Sequence, residues 1–186
     1  MRLNLGCGGN KMAGWLNVDH SSACAPDTLV DLEALPWPWP DSSAEEVLFN
    51  HVLEHLGATS TLYIGIIKEL WRICAPGATV TIAVPHPRSD DFLNDPTHVR
   101  AITAEGLVMF SSKANEHWQR TGSSNTPLAW QHGVNFDFVS VETMLEEPWA
   151  SERRSGKLGD QALDEATLRY NNVIKQQTFV LRVVKT

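Results

Sequence analysis

Apolar runs of strand length alternate with turns through the first half of the chain, and one longer stretch repeats at helical spacing. Arg2-Leu3-Asn4-Leu5 and Leu16-Asn17-Val18-Asp19 read as two short strands joined by a turn that opens Gly6-Cys7-Gly8-Gly9. Thr28-Leu29-Val30-Asp31 reads as a third strand ending in a second acid, and Glu46 to Asn50 as a fourth, suited to burial on both faces. Leu35-Pro36-Trp37-Pro38-Trp39-Pro40 is expected to be extended, because each proline removes a donor and restricts its predecessor. Leu62, Tyr63, Ile66, Ile67, Leu70, Trp71 and Cys74 form one apolar stripe, which predicts a helix over 59–74 capped by Thr59 or Ser60 and stopped by Pro76-Gly77.

The second half is patterned more weakly. Ala78 to Val84 reads as a strand, and Val134 to Val141 and Thr178 to Val184 as a closing strand pair. Residues 86–132 are polar and irregular with one helix near 104–110, as in a lid or substrate loop. Residues 146–172 suggest at most a surface helix near 161–170. Strand, helix and strand alternate, so the expected class is α/β with a mostly parallel sheet. A single domain is expected over 1–186, with a ligand-binding half (1–85), a lid or acceptor region (86–133) and closing strands (134–186).

Composition narrows the choice of partner. The 186 residues suffice for one core, the net charge is −7, and Arg153-Arg154 beside Glu152 is the only basic doublet. Nucleic acid is therefore an unexpected partner. Three scattered cysteines suit a reducing compartment, no run of about 18 apolar residues suggests a membrane span, and the start reads as a strand with no leader pattern. A cytoplasmic location is the expectation.

Glycines at a strand end admit a ligand close to the backbone, and Asp19 at the next strand tip can accept hydrogen bonds from two ribose hydroxyls. A dinucleotide is disfavoured. Lys11 stands where a third glycine belongs, and the nine residues between Gly6 and Leu16 leave no room for a phosphate-binding helix. A sulfonium nucleoside carries no phosphate, and its cation suits a crevice edged by Asp19 and Asp31.

Leu5-Gly6-Cys7-Gly8, Asn17-Val18-Asp19, Asp31-Leu32, Asp41 to Val47 and Val52-Leu53-Glu54-His55-Leu56 resemble, in order, the motifs of class I S-adenosylmethionine-dependent methyltransferases. The likeness covers about residues 2–110 and is nearest to small members with almost no first crossover helix. It implies a Rossmann-like, mostly parallel seven-stranded sheet with the last strand antiparallel, S-adenosylmethionine as cofactor, and transfer to oxygen or nitrogen of a small-molecule or glycan-type acceptor. By the match, Gly6, Cys7 and Gly8 face the methionine part. Asp19, with His20 beside it, takes the ribose, Asp31 and Leu32 flank adenine, and Asn50 and His51 reach the methionine end. The family often has an acid two residues before the first glycine, where this chain has Asn4, and an N-terminal helix over the cofactor. Residues 86–132 or a second subunit, as in a homodimer, are expected to supply that cover.

His51-Val52-Leu53-Glu54-His55 also spells HxxEH, which on a helix would offer two zinc ligands and a base. The methyltransferase reading explains the same letters as a turn after the fourth strand, and no metal is assigned. Asn94-Asp95-Pro96-Thr97-His98-Val99-Arg100 is a second polar constellation. His98 is the candidate general base, with Asp95 and His55 as further catalytic candidates; the alternative is that Asp95 and Arg100 brace the loop and His98 caps a helix. Trp15, Trp37 and Trp39 are expected to pack near the cofactor edge, and His86, His117 and His132 to be solvated. Three other functions remain open: a non-catalytic S-adenosylmethionine binder or partner subunit, an aminopropyl-type transferase, and a zinc metallohydrolase.

Overall fold

The computed structural model describes residues 1–185. Seven strands, β1 (Arg2–Leu5), β2 (Leu16–Asp19), β3 (Thr28–Leu29), β4 (Ala44–Asn50), β5 (Cys74–Pro85), β6 (Phe136–Leu145) and β7 (Ile174–Val183), form one sheet in the order β3-β2-β1-β4-β5-β7-β6. The first five neighbours pair in parallel, and β7 runs antiparallel to both β5 and β6. The fold class is as the sequence implied. Strand order reverses between β1 and β4, so their carboxyl ends flank a crevice, the usual ligand position in such sheets.

Helix α1 (Ser60–Ile73) forms as its stripe predicts, with the Thr59 hydroxyl accepting from the Leu62 amide. Its inward residues Ile66, Ile67, Leu70 and Ile73 pack with Leu3, Leu5, Val47, Phe49, Val80, Ile82, Phe179 and Leu181 in one core. The helix stops at Ile73, ahead of Pro76-Gly77, and β5 begins at Cys74 and carries that pair in an irregular stretch where its register on β4 shifts.

Residues 86–132 hold more order than their polarity suggests. They contain α2 (Asp90–Leu93), α3 (Ala104–Val108), α4 (Ser112–Thr121) and α5 (Leu128–His132), of which only α3 was anticipated. Caps compensate for the weak apolar pattern: Ser89, Thr103 and Ser111 each accept a backbone N–H in the first turn of α2, α3 and α4. Likewise α6 (Trp149–Arg154) was not expected, whereas α7 (Asp160–Arg169) falls at the anticipated place.

Residues 35–40 form bends rather than an extended run. Arg72 holds them. Its guanidinium donates to the Trp37 and Trp39 carbonyls at 3.0 Å each and pairs with Glu69, which itself accepts from the Trp37 amide at 2.7 Å. Trp37 and Trp39 are thereby buried in the core, and packing accounts for both. No helix among the described residues is long and apolar enough to cross a membrane.

Candidate functional site

The glycine turn is built by steric necessity. Gly6 has φ +67°, and a Cβ there would lie 2.5 Å from Val52 Cγ2. Gly8 has φ +50° but nothing within 4 Å of a Cβ, and neither has Gly9. The turn is therefore packed from below at Gly6 and open above at Gly8 and Gly9.

A side-chain network does the work of the absent crossover helix between β1 and β2. Asn4, 2% exposed, donates to the Asn10 carbonyl and to Asn17 Oδ1. Asn17 accepts from the Met12 amide at 2.8 Å and donates to Asp27 Oδ2 at 2.8 Å. Asp27 also accepts from the Asn17 backbone. These contacts satisfy the loop's polar groups without a helix. Asn4, where the related motif often has an acid, is thus a buried brace. Asn17 and Asp27 were not singled out from the sequence, because their partners lie across the loop; the short loop itself was the only available signal.

Asp19 sits at the tip of β2, 7% exposed, and braces the turn. Oδ2 accepts from the Gly8 amide and Oδ1 from the Ser21 amide, both at 2.9 Å. Burial works against its charged form, but the N–H groups of Ser21 and Gly8 outweigh this and hold the carboxyl below its ordinary value. Each oxygen keeps a second lone pair, so a vicinal diol can still be gripped. His20 is exposed, with Nδ1 3.5 Å from Asp19 Oδ1.

The other expected contacts divide. Asp31 is exposed two residues beyond β3 and accepts from the Glu33 amide. Leu32 is buried in the core, and its carbonyl takes the Trp37 indole N–H. Cys7 is buried. Asn50 ends β4, exposed, and shares a groove of about 280 Å³ with Asn4, Gly6, Cys7 and Leu48. None of residues 86–132 lines that groove.

His51 follows at φ +57°, outside any helix, with Nε2 2.8 Å from Gln176 Oε1. Residues 53–55 make only one 3-10 turn, so the helical HxxEH pair does not form. The Glu54 carbonyl accepts from the Val99 and Arg100 amides at 2.9 and 3.1 Å, which fastens the 94–100 segment to this turn. His98 is drawn in with it. Its side chain is 7% exposed, Nδ1 lies 2.8 Å from the Phe92 carbonyl, and its ring stacks on Phe92. It does not cap α3, a role taken by Thr103. Asp95 Oδ1 accepts from both the amide and the hydroxyl of Thr97, and Thr97 Oγ1 lies 2.9 Å from His55 Nδ1. Arg100 does brace the loop, donating to the Gly57 carbonyl at 2.9 Å with its guanidinium 4.2 Å from the Tyr63 ring centre.

His51, Asp90, Asp91, Asn94, Asp95 and His98 line a groove of about 600 Å³. A larger cleft of about 710 Å³ lies apart, between α1 and α3, lined by Tyr63, Ile64, Arg100, Leu107 and Phe110 among others. His86 and His132 are half-buried rather than solvated, and burial pushes the His86 imidazole down. His117 is exposed as expected.

No protein-family model matches the chain, and neither does any curated protein. Solved structures do. A S-adenosylmethionine-dependent methyltransferase from Archaeoglobus fulgidus aligns over 97% of this chain and 85% of its own, at 15% identity and a TM-score of 0.62. The chain has the fold of class I S-adenosylmethionine-dependent methyltransferases. One from Methanosarcina mazei aligns over 100% and 92% of the two chains at 13% identity and a TM-score of 0.58. The [4+2]-cyclase SpnF aligns over 100% and 75% at 15% identity and a TM-score of 0.56, so this methyltransferase fold also serves other chemistry.

Proposed function

We propose that the protein is a S-adenosylmethionine-dependent methyltransferase acting on a small polar acceptor. One juxtaposition carries the reading: an open glycine turn at Gly8 and Gly9 bonded to the Asp19 carboxylate, at the point where strand order reverses. The residues present fit the cofactor. The space above Gly8 accepts a backbone-hugging group, and Asp19 retains lone pairs for a ribose. Asn50 stands where the methionine end would lie. The cofactor, when bound, supplies an activated methyl group on a sulfonium.

The chain's task is then placement, because in-line displacement gains most from holding the reacting atoms about 3–3.5 Å apart. The groove lined by His51, Asp90, Asp91, Asn94, Asp95 and His98 adjoins the end of β4 and supports a polar acceptor. Its carboxylates favour a hydroxyl or amine over an anion. Titration calorimetry with S-adenosylhomocysteine tests the cofactor, and methyl transfer from labelled S-adenosylmethionine to a panel of amines and alcohols tests the reaction. Absence of saturable S-adenosylhomocysteine binding would sink the assignment.

A further inference from the structure

The carboxylate of Glu54 is the most unusual group in the molecule. The residue is 0% exposed, and neither oxygen receives a hydrogen bond from the described residues. The nearest histidine nitrogen, His51 Nδ1, stands 3.5 Å from Oε1, an ion-pair distance, while Oε2 has no partner among the described residues. A buried carboxylate is costly unless it is paired or coordinates a metal.

Two imidazoles face the same point. One ligand atom each from Glu54, His55 and His98 lie within 4.8 Å of one another. Both rings are oriented through Nδ1: His55 by Thr97 Oγ1 at 2.9 Å, and His98 by the Phe92 carbonyl at 2.8 Å. Asp95 Oδ1 in turn accepts from the Thr97 hydroxyl at 2.6 Å. An imidazole whose Nδ1 is occupied in this way presents Nε2 as the ligand, the arrangement that outer partners impose on metal-binding histidines.

We propose that Glu54, His55 and His98 form a binding site for one divalent transition-metal ion, of the zinc class. Two imidazoles and a carboxylate suit zinc or iron(II) and exclude magnesium and calcium, which require oxygen donors. Tetrahedral ligation at about 2.0–2.1 Å brings donor atoms to about 3.3 Å apart, so the three side chains close by about 1.5 Å at most from their present spacing within 4.8 Å. A fourth position remains for water or the acceptor, beside the groove that His98 and Asp95 line. The site itself does not require methyl transfer. Its use there, to polarise an acceptor hydroxyl, rests on the function proposed above.

The test uses full-length protein stripped with chelator. Calorimetry with zinc chloride is expected to give one ion per chain, and cobalt(II) the intense visible absorption of a tetrahedral site without thiolate charge transfer. His55→Ala and His98→Ala are each expected to lower zinc affinity by more than the roughly 10–100-fold that loss of an outer partner costs, and Thr97→Val by about 10-fold. Glu54→Gln keeps the shape of the buried side chain and abolishes the tetrahedral cobalt spectrum. Circular dichroism confirms that each variant is folded. Zinc binding unchanged in the folded His98→Ala protein, thiolate charge transfer with cobalt, or no stoichiometric binding overturns the site. S-Adenosylhomocysteine binding is measured separately: its loss with zinc retained removes the methyltransferase reading alone, and the converse removes the metal alone.

Discussion

Substituting Asp19 by asparagine separates the two duties of that carboxylate. Its two oxygens each accept one backbone N–H at 2.9 Å, from Gly8 and Ser21. An amide offers one oxygen and one NH2, so one of those N–H groups must face a donor. A hydrogen bond to a charged acceptor contributes about 1.5–3 kcal/mol, and a buried donor left unmet costs about 1–3 kcal/mol. Asp19→Asn is therefore expected to destabilise the protein by about 3 kcal/mol. At about 2–4 °C per kcal/mol for a chain of this size, the melting temperature falls by about 6–12 °C.

Ligand binding carries a second, independent signature. A ribose diol that loses one charged acceptor loses about 1.5–3 kcal/mol, or about 10- to 150-fold in the dissociation constant for S-adenosylhomocysteine. Calorimetry well below the variant's melting point isolates this from unfolding. The pH dependence has a definite sign. The folded-state carboxyl of Asp19 lies below its ordinary value, so its contribution to stability is full above about pH 4 and disappears as pH falls through the folded-state value. The stability gap between wild type and Asp19→Asn should narrow over that acid range. An unchanged melting temperature refutes the brace, and an affinity within about threefold of wild type refutes the ribose contact.

Two glycine substitutions are expected to differ in kind. Gly6→Ala places a methyl 2.5 Å from Val52 at positive φ and should destabilise by roughly 2 kcal/mol or more, read by urea unfolding. Gly8→Ala meets open space, so it should cost only about 1 kcal/mol of stability while weakening S-adenosylhomocysteine by roughly tenfold in calorimetry. Arg72→Met removes the clamp on the Trp37 and Trp39 carbonyls and leaves Glu69 without its ion pair, an expected loss of about 3 kcal/mol in urea unfolding. The Arg72 guanidinium, helped by the Trp37 amide and opposed by burial, holds the Glu69 carboxyl below its usual range. This contribution is present above about pH 4.3 and is lost as pH falls through the folded-state value, so Glu69→Gln should flatten the acid limb of a stability profile.

What the sequence reveals follows the range of the interactions involved. The strands β1, β2, β4 and β5, the helix α1 and the glycine turn are written in local spacing, and the lack of room for a crossover helix follows from counting residues. Asp19 stands out as a candidate ribose carboxylate because a strand tip after a glycine turn is a local pattern. Its bond to Gly8, eleven residues away, is not local, and neither is the Asn4-Asn17-Asp27 brace. The short helices α4, α5 and α6 also escape: α4 starts on the Ser111 cap, α4 and α6 pack on β6, and α5 packs on α4.

The histidines make the sharpest case. HxxEH invites pairing of His51 with His55 because they are four residues apart, yet the left-handed turn at His51 breaks the helix that such pairing needs. The partner that His55 actually meets is His98, with ring centres 4.6 Å apart across 43 positions of chain. That meeting is produced by two amides, those of Val99 and Arg100, converging on one carbonyl of the Glu54 turn. A motif read by letter spacing therefore pairs His51 with His55, where the fold sets His55 against His98. Chemistry at this site follows from main-chain hydrogen bonds that join two loops, and the proposed metal site depends on that junction as much as on the three ligands themselves.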